Sequence, residues 1–228
     1  MLAARRLVHV INLHRMGFVS AHDVQMRYAR YHFEELAGKP EARGFNVILL
    51  VEHNPVYTVG IRDKSYTKED ENKLRETGAE FHRTNRGGLI TFHGPGQLVA
   101  YPIINLKDFN IGMRDYVCNL EKTMVQTCNS FGLKARTTAD TGVWVEDRKI
   151  GAIGKLMLWI VKHVQLQYAR YGWRNTLIYM QKAIIYVSSP LLMVNSDKQL
   201  TVKLPTELLF RWTLDNFLIG KIKLFLWR

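Results

Sequence analysis

Cysteine, proline and acidic residues are all scarce in this chain, and each shortage excludes something. Two cysteines in 228 residues, Cys118 and Cys128, are too few for a disulfide framework and lack metal-ligand spacing, so a reducing compartment and no metal centre are expected. Six prolines beside 47% hydrophobic content argue for a globular chain and against a disordered one. No uninterrupted apolar run reaches membrane-spanning length. The nearest, residues 176–194, is broken by Gln181, Lys182, Ser188, Ser189 and Pro190, so no stable membrane span is expected.

The shortage of acid is uneven. Lys and Arg number 32 against 20 Asp and Glu, a net charge of +12, and residues 155–228 hold 11 of the basic residues but only 3 of the acidic ones. That basic stretch carries no helix-turn-helix, zinc-ligand or RNA-recognition signature, and its charges are scattered among large apolar residues, so no nucleic-acid partner is expected. In residues 1–154, which are only modestly basic, the excess either steers an acidic partner or is a solvated surface.

What is present suits one domain with a substantial core. Leu7 to Leu13 alternates like a first strand; His22 to Ala37 has helical spacing through Val24, Met26, Tyr28, Tyr31 and Leu36, closed by Gly38 and Pro40. Asn46 to Glu52 is a continuous apolar run of strand length, predicting a central strand covered on both faces. Thr67, followed by Lys68, Glu69, Asp70 and Glu71, predicts the N-cap of a helix ending near Gly78. Gln97 to Ile104 reads as strand, Gly112 to Phe131 as a long amphipathic helix, and Val143 to Ile153 as a hairpin turning at Glu146 and Asp147. Without a regular βαβ repeat or a nucleotide fingerprint, the class is α/β (α+β), a mixed β-sheet flanked by helices.

The densest stretch runs from Arg86 to Asn105, RGGLITFHGPGQLVAYPIIN. Gly87 and Gly88 let a ligand approach the main chain, Leu89 to Phe92 reads as a strand with His93 at its tip, and Gly94-Pro95-Gly96 turns the chain before Gln97. A glycine pair before a short strand is also common in ordinary hairpins, but here an arginine, a histidine and an amide converge within a dozen positions.

Arg86 to Gln97 resembles the signature of the lipoyl(octanoyl) transferases. Three further segments agree with that family in order: Glu52-His53-Asn54-Pro55-Val56-Tyr57-Thr58-Val59-Gly60, Thr141-Gly142-Val143-Trp144-Val145, and Arg148-Lys149-Ile150-Gly151-Ala152-Ile153-Gly154. The resemblance implies a fold similar to the biotin/lipoate protein ligase-like catalytic domain and transfer of an octanoyl group from octanoyl-acyl carrier protein. The implied acceptors are lipoyl domains of 2-oxoacid dehydrogenases and the glycine cleavage H protein, and no cofactor is implied. It also implies a mitochondrial address, with which Arg5, Arg6 and Arg15 ahead of the first acid, Asp23, agree.

By the same resemblance, Lys149 is the expected catalytic lysine, serving a cysteine thiolate that attacks the thioester. Arg86, Gly87, Gly88, Leu89, Ile90, Thr91, Phe92 and His93 are expected to line the acyl and pantetheine pocket, with Ala152, Ile153 and Gly154 facing them. His93 either positions the attacking amine or holds its own loop.

The departure from the family comes directly after Gly154. Neither its Ser-His-Gly-Leu-type segment nor the Pro-Cys-Gly segment that supplies the nucleophile is present, and no cysteine follows. The expected division is therefore 1–154, an incomplete catalytic domain, and 155–228, a divergent basic tail of the kind an alternative exon or a frame change produces. Cys128 falls on the apolar stripe Val117, Leu120, Met124, Cys128, Phe131 and Cys118 off it, so neither is expected to replace the missing thiol. Two other readings stand beside transfer: an ATP-dependent lipoate-protein ligase, which needs no cysteine, and a non-catalytic acyl- or partner-binding chain.

Overall fold

The computed structural model describes residues 7–39, 41, 44–60, 66–84 and 89–154, and the backbone of 178–180, 182–186 and 223–226. Strand β1 (Leu7–Met16) leads into α1 (Phe18–Leu36), β2 (Val47–His53) and β3 (Val56–Val59). Then come α2 (Lys68–Arg75), β4 (Glu80–Arg83), β5 (Thr91–His93) and β6 (Gln97–Asn105). A 3-10 turn (Leu106–Phe109) precedes α3 (Met113–Ser130), β7 (Ala135–Arg136), β8 (Val143–Val145) and β9 (Arg148–Gly154). Three short strands follow: β10 (Ile178–Met180), β11 (Lys182–Tyr186) and β12 (Lys223–Leu226).

Among the described residues the strands form two sheets. The large one runs β12-β1-β2-β6-β11-β9-β8-β7, with β10 also paired to β6; the small one runs β4-β3-β5. Parallel β1–β2 and antiparallel β2–β6 pairing make the large sheet mixed. The basic stretch after Gly154 supplies β11 between β6 and β9 and β12 beside β1, so its backbone enters this sheet.

Strand β2 reads as a continuous apolar run because both of its faces are covered. Ile48 and Leu50 join Val8, Val10, Leu98, Ala100 and Ile153 under α3, whereas Val47, Leu49 and Val51 join Val99, Tyr101 and Ile103 under α1. The α3 stripe lies close to expectation, with Tyr116 in place of Val117 as its first buried position. Helix α1 differs more. It begins at Phe18, and its buried stripe is Ala21, Gln25, Ala29 and His32, while Tyr31 is exposed. Small and polar residues let the helix lie close to the sheet, and a hydrophobicity pattern does not register them as core.

Helix α2 starts as expected. The Thr67 side chain accepts from the Asp70 N–H at 3.2 Å, and the Asp70 carboxylate accepts from the Thr67 N–H at 3.0 Å, a reciprocal capping box. It ends at Arg75, sooner than expected, and Gly78 turns the chain at φ 81°. Strands β4 and β7 carry no legible signal: in β4 only Phe81 is buried, and β7 is two residues long.

Buried polar groups pin the end of the sheet remote from the glycine motif. Asn46 donates to Asp108 at 3.0 Å and accepts from the Asn105 N–H at 2.7 Å. His32, 2% exposed, donates from Nε2 to the Phe45 carbonyl at 2.8 Å and so ties α1 to the approach to β2. Burial pulls this imidazole's pKa below the ordinary 6.5, against the opposing pull of the Phe45 carbonyl, Glu35 and Asp108. The unfolded chain therefore takes up a proton before the folded one does. The stability this contributes is present above about pH 6.5 and is lost as pH falls through the depressed folded value. Urea midpoints measured between about pH 7.5 and pH 5 should fall more steeply for the natural chain than for His32→Leu. Parallel pH profiles would show that His32 is not the titrating group.

Candidate functional site

Strands β5 and β6 are consecutive in the chain but lie in different sheets. β5 pairs with β3, from Val56 opposite His93 to Thr58 opposite Thr91, and β6 pairs with β2. Gly94-Pro95-Gly96 is thus a crossing between sheets. Its Gln97 N–H donates back to the Gly94 carbonyl at 3.1 Å, and Gly96 takes φ 83°, a left-handed angle that favours glycine. A Cβ on Gly94 would lie 2.8 Å from the Phe92 ring.

Of the expected pocket wall, Arg86, Gly87 and Gly88 lie outside the described residues. Leu89 is exposed at a bend, and Ile90 donates its N–H to the Tyr66 hydroxyl at 3.3 Å. Strand β5 begins at Thr91, two residues later than expected, with Phe92 packed on Tyr57 at 4.9 Å between ring centroids.

His93 is fully buried, and its Nδ1–H donates to Gln97 Oε1 at 3.2 Å across the turn. This is the geometry of a residue that holds its own loop. Beside it, at 5.9 Å between ring centroids, lies His53, also fully buried. The His53 Nδ1 faces the Met16 carbonyl at 3.1 Å, which can only accept, so the proton sits on Nδ1 and Nε2 accepts from the Tyr101 hydroxyl at 2.7 Å. Phe18, at the start of α1, packs on both His53 and His82 of β4 and so links the two sheets. Local sequence pattern assigns no individual role to His53, Tyr101 or Glu52. A histidine ending an apolar strand is the available signal, but the partners of His53 are 37 and 48 residues away.

Register places the second half of the site. Ala100 pairs with Ala183 of β11, which pairs with Ile153 of β9; Leu98 is joined in the same way through Ile185 to Gly151. The alignment runs from Leu98 and Gly151 toward the first residues of β6 and of β9, where Gln97 and Lys149 stand. Lys149 therefore lies at the sheet end that carries the turn. Its side chain is exposed, with Nζ donating to the Thr141 carbonyl at 2.7 Å and lying 5.5 Å from the centre of the Trp144 ring. Ala152 and Gly154 alternate onto the face shared with Val99, whereas Ile153 belongs to the core under α3.

Both cysteines are on α3. Cys118 is exposed; Cys128 is buried, and burial pushes its thiol up to about 11, away from thiolate. α3 covers the face carrying Leu50 and Leu98, while Val51, Val99 and Tyr101 occupy the other, so the sheet stands between Cys128 and the paired imidazoles.

Residues 22–164 match the family model described as the lipoyl protein ligase A/B catalytic domain, which runs ten residues past Gly154. The chain is 48% identical over 154 residues to the mitochondrial octanoyl-[acyl-carrier-protein]:protein N-octanoyltransferase of Danio rerio, covering 68% of this chain and 66% of that one. It is 50% identical over 151 residues to a Drosophila melanogaster protein named as a mitochondrial lipoyltransferase, covering 66% and 63%. The chain thus spans a little under two thirds of the length of these relatives. Among solved structures, the bipartite lipoate protein ligase of Thermoplasma acidophilum aligns over 98% of this chain and 87% of its own at TM-score 0.61 and 13% identity. Lipoate-protein ligase A bound with ATP aligns over 97% and 88% at TM-score 0.59 and 11% identity. At such identities the structural likeness establishes the fold, an α+β ligase-like domain. With well over half of its length matched by the family model, the chain belongs to the lipoyl protein ligase A/B catalytic domain family.

Proposed function

We propose that this chain binds the octanoyl group of octanoyl-acyl carrier protein and supports its transfer to the lysine of a lipoyl domain, in the mitochondrion. The acceptors are the lipoyl domains of 2-oxoacid dehydrogenases and the glycine cleavage H protein, and no cofactor takes part. The observation that carries this reading is the family match across residues 22–164, which contains both the His93 turn and Lys149, joined to near-half identity with a relative bearing that name. In this reading Arg86 to His93 and Ala152 to Gly154 receive the acyl chain and its pantetheine arm, and the Lys149 ammonium favours the developing anion at the reacting carbonyl.

Thioester chemistry then sets the rate. Residues 155–228 hold no cysteine, and the two on α3 are an exposed thiol and a buried one held protonated. Transfer runs by direct attack of the acceptor amine on the thioester carbonyl, with the carrier's thiolate leaving. It is slow, because a lysine amine with pKa about 10.4 is mostly protonated at neutral pH and the two-step route is absent.

Intact-protein mass spectrometry after incubation with octanoyl-acyl carrier protein tests this. The chain should carry no octanoyl adduct, while an added lipoyl domain slowly gains one octanoyl group. A hydroxylamine-sensitive adduct on Cys118 or Cys128 would overturn the direct route, and ATP-dependent attachment of free octanoate would assign ligase chemistry instead.

Lys149→Ala should lower the rate of lipoyl-domain octanoylation by at least tenfold and leave carrier binding largely intact, as expected when an electrostatic contact made in the transition state is removed. An unchanged rate would reduce Lys149 to a surface residue. Gly142→Ala offers an independent probe. Gly142 sits at φ 138°, and a Cβ there would lie 2.4 Å from Lys149 Cε and 2.7 Å from the Gly151 carbonyl oxygen. The variant should lose about 1–3 kcal/mol of stability by urea titration and should lower the octanoylation rate along with it, because Lys149 must move.

A further inference from the structure

We infer that Glu52 is a positioning residue that sets the Gly94-Pro95-Gly96 crossing, and through it the segment from Leu89 to His93, for the acyl substrate; this rests on the function proposed above. The Glu52 carboxylate divides its two oxygens between two elements. Oε2 accepts the Gly96 N–H at 3.2 Å, and Oε1 lies 3.2 Å from Arg15 Nε on β1. A carboxylate on a main-chain N–H is a charge-assisted bond, stronger than a neutral one.

Two backbone irregularities converge on this one side chain. Gly96 adopts its left-handed angle at the point where its N–H meets Glu52. On the other side, the pairing of β1 with β2 shifts register between Asn12 and Arg15, with His14 at φ 52° and its N–H held by Asn12 Oδ1 at 2.9 Å. After the shift Arg15 stands directly opposite Glu52. A bulge that re-aims a side chain, and a non-glycine residue held left-handed, are features that persist where the surroundings over-determine them. Here both supply the partners of one carboxylate.

The adjoining residue continues the arrangement. Glu52 holds the turn from below Gly96, while His53 lies against His93, which is bonded across the same turn to Gln97. Among the described residues Glu52 is joined to Gly96 and Arg15, neither of them expected to contact the acyl chain, and it acts through the turn that Gly96 closes. Losing it should loosen substrate capture more than the chemical step.

The test uses the full chain, with octanoyl-acyl carrier protein as the probe and the Gly96 amide as the reporter. Glu52→Ala should weaken carrier binding about tenfold, the scale of one lost charge-assisted hydrogen bond, and change the single-turnover rate at saturation less than twofold. Glu52→Gln, which keeps an oxygen acceptor, should stay within about threefold of the natural affinity. By NMR, the Gly96 amide should exchange with solvent faster in Glu52→Ala than in Glu52→Gln or the natural chain, a readout that does not depend on any ligand. Equal exchange in all three would overturn the inference, as would a Glu52→Gln variant as impaired as Glu52→Ala. If Glu52→Ala does not fold, Glu52→Gln and Arg15→Ala carry the same comparison. Should the natural chain itself fail to bind the octanoyl carrier, the functional reading fails while Gly96 exchange still decides whether Glu52 holds the turn.

Discussion

The antiparallel register of β2 against β6, from Val47 opposite Ile103 to Val51 opposite Val99, governs everything else in this molecule. Side chains alternate across a strand, so this one alignment sends Ile48, Leu50, Leu98 and Ala100 under α3 and Val47, Leu49, Val99 and Tyr101 under α1. A slip of a single residue would exchange the two sets and put Tyr101 out of reach of His53. It would also withdraw Gly96 from Glu52. Both cores and the candidate site therefore rest on the same pairing.

The sheet divides the chemistry as well as the packing. At one end of it, β2 finishes on Glu52 and His53, β6 starts at Gln97, and β9 starts beside Lys149. Two buried imidazoles lie there with their ring protons fixed by a carbonyl and an amide oxygen, a rigid arrangement for a segment that crosses between sheets. The thiol chemistry lies elsewhere: Cys128 is sealed into the core beneath α3, where low polarity favours the neutral thiol.

β11 is the strand that connects these parts. It pairs with β6 on one side and β9 on the other, and without it the turn and Lys149 would belong to separate sheet fragments. The basic stretch after Gly154 thus supplies backbone hydrogen bonding at the middle of the sheet. Pairing of this kind depends on main-chain groups, which every residue carries, and so needs no particular side-chain motif.

Near-neighbour chemistry makes a large part of this molecule legible in its sequence. The apolar run of β2, the Thr67 cap, the α3 stripe and the order of four motifs follow in turn from continuous burial, a reciprocal side-chain cap, a 3.6-residue period and glycines at turns. The family and its fold class follow from those motifs. What the chain does not disclose locally is anything set by partners far along it. The buried face of α1 is built from Ala21, Gln25, Ala29 and His32, which are core only because a sheet approaches closely. β4 becomes a strand only by pairing with β3. Glu52 and Tyr101 acquire their roles from Gly96 and His53, respectively 44 and 48 residues distant. Sequence by itself determined which residue types were available at the turn and at Lys149; tertiary structure alone decided which of them meet, because register and sheet crossing act over separations that no local pattern spans.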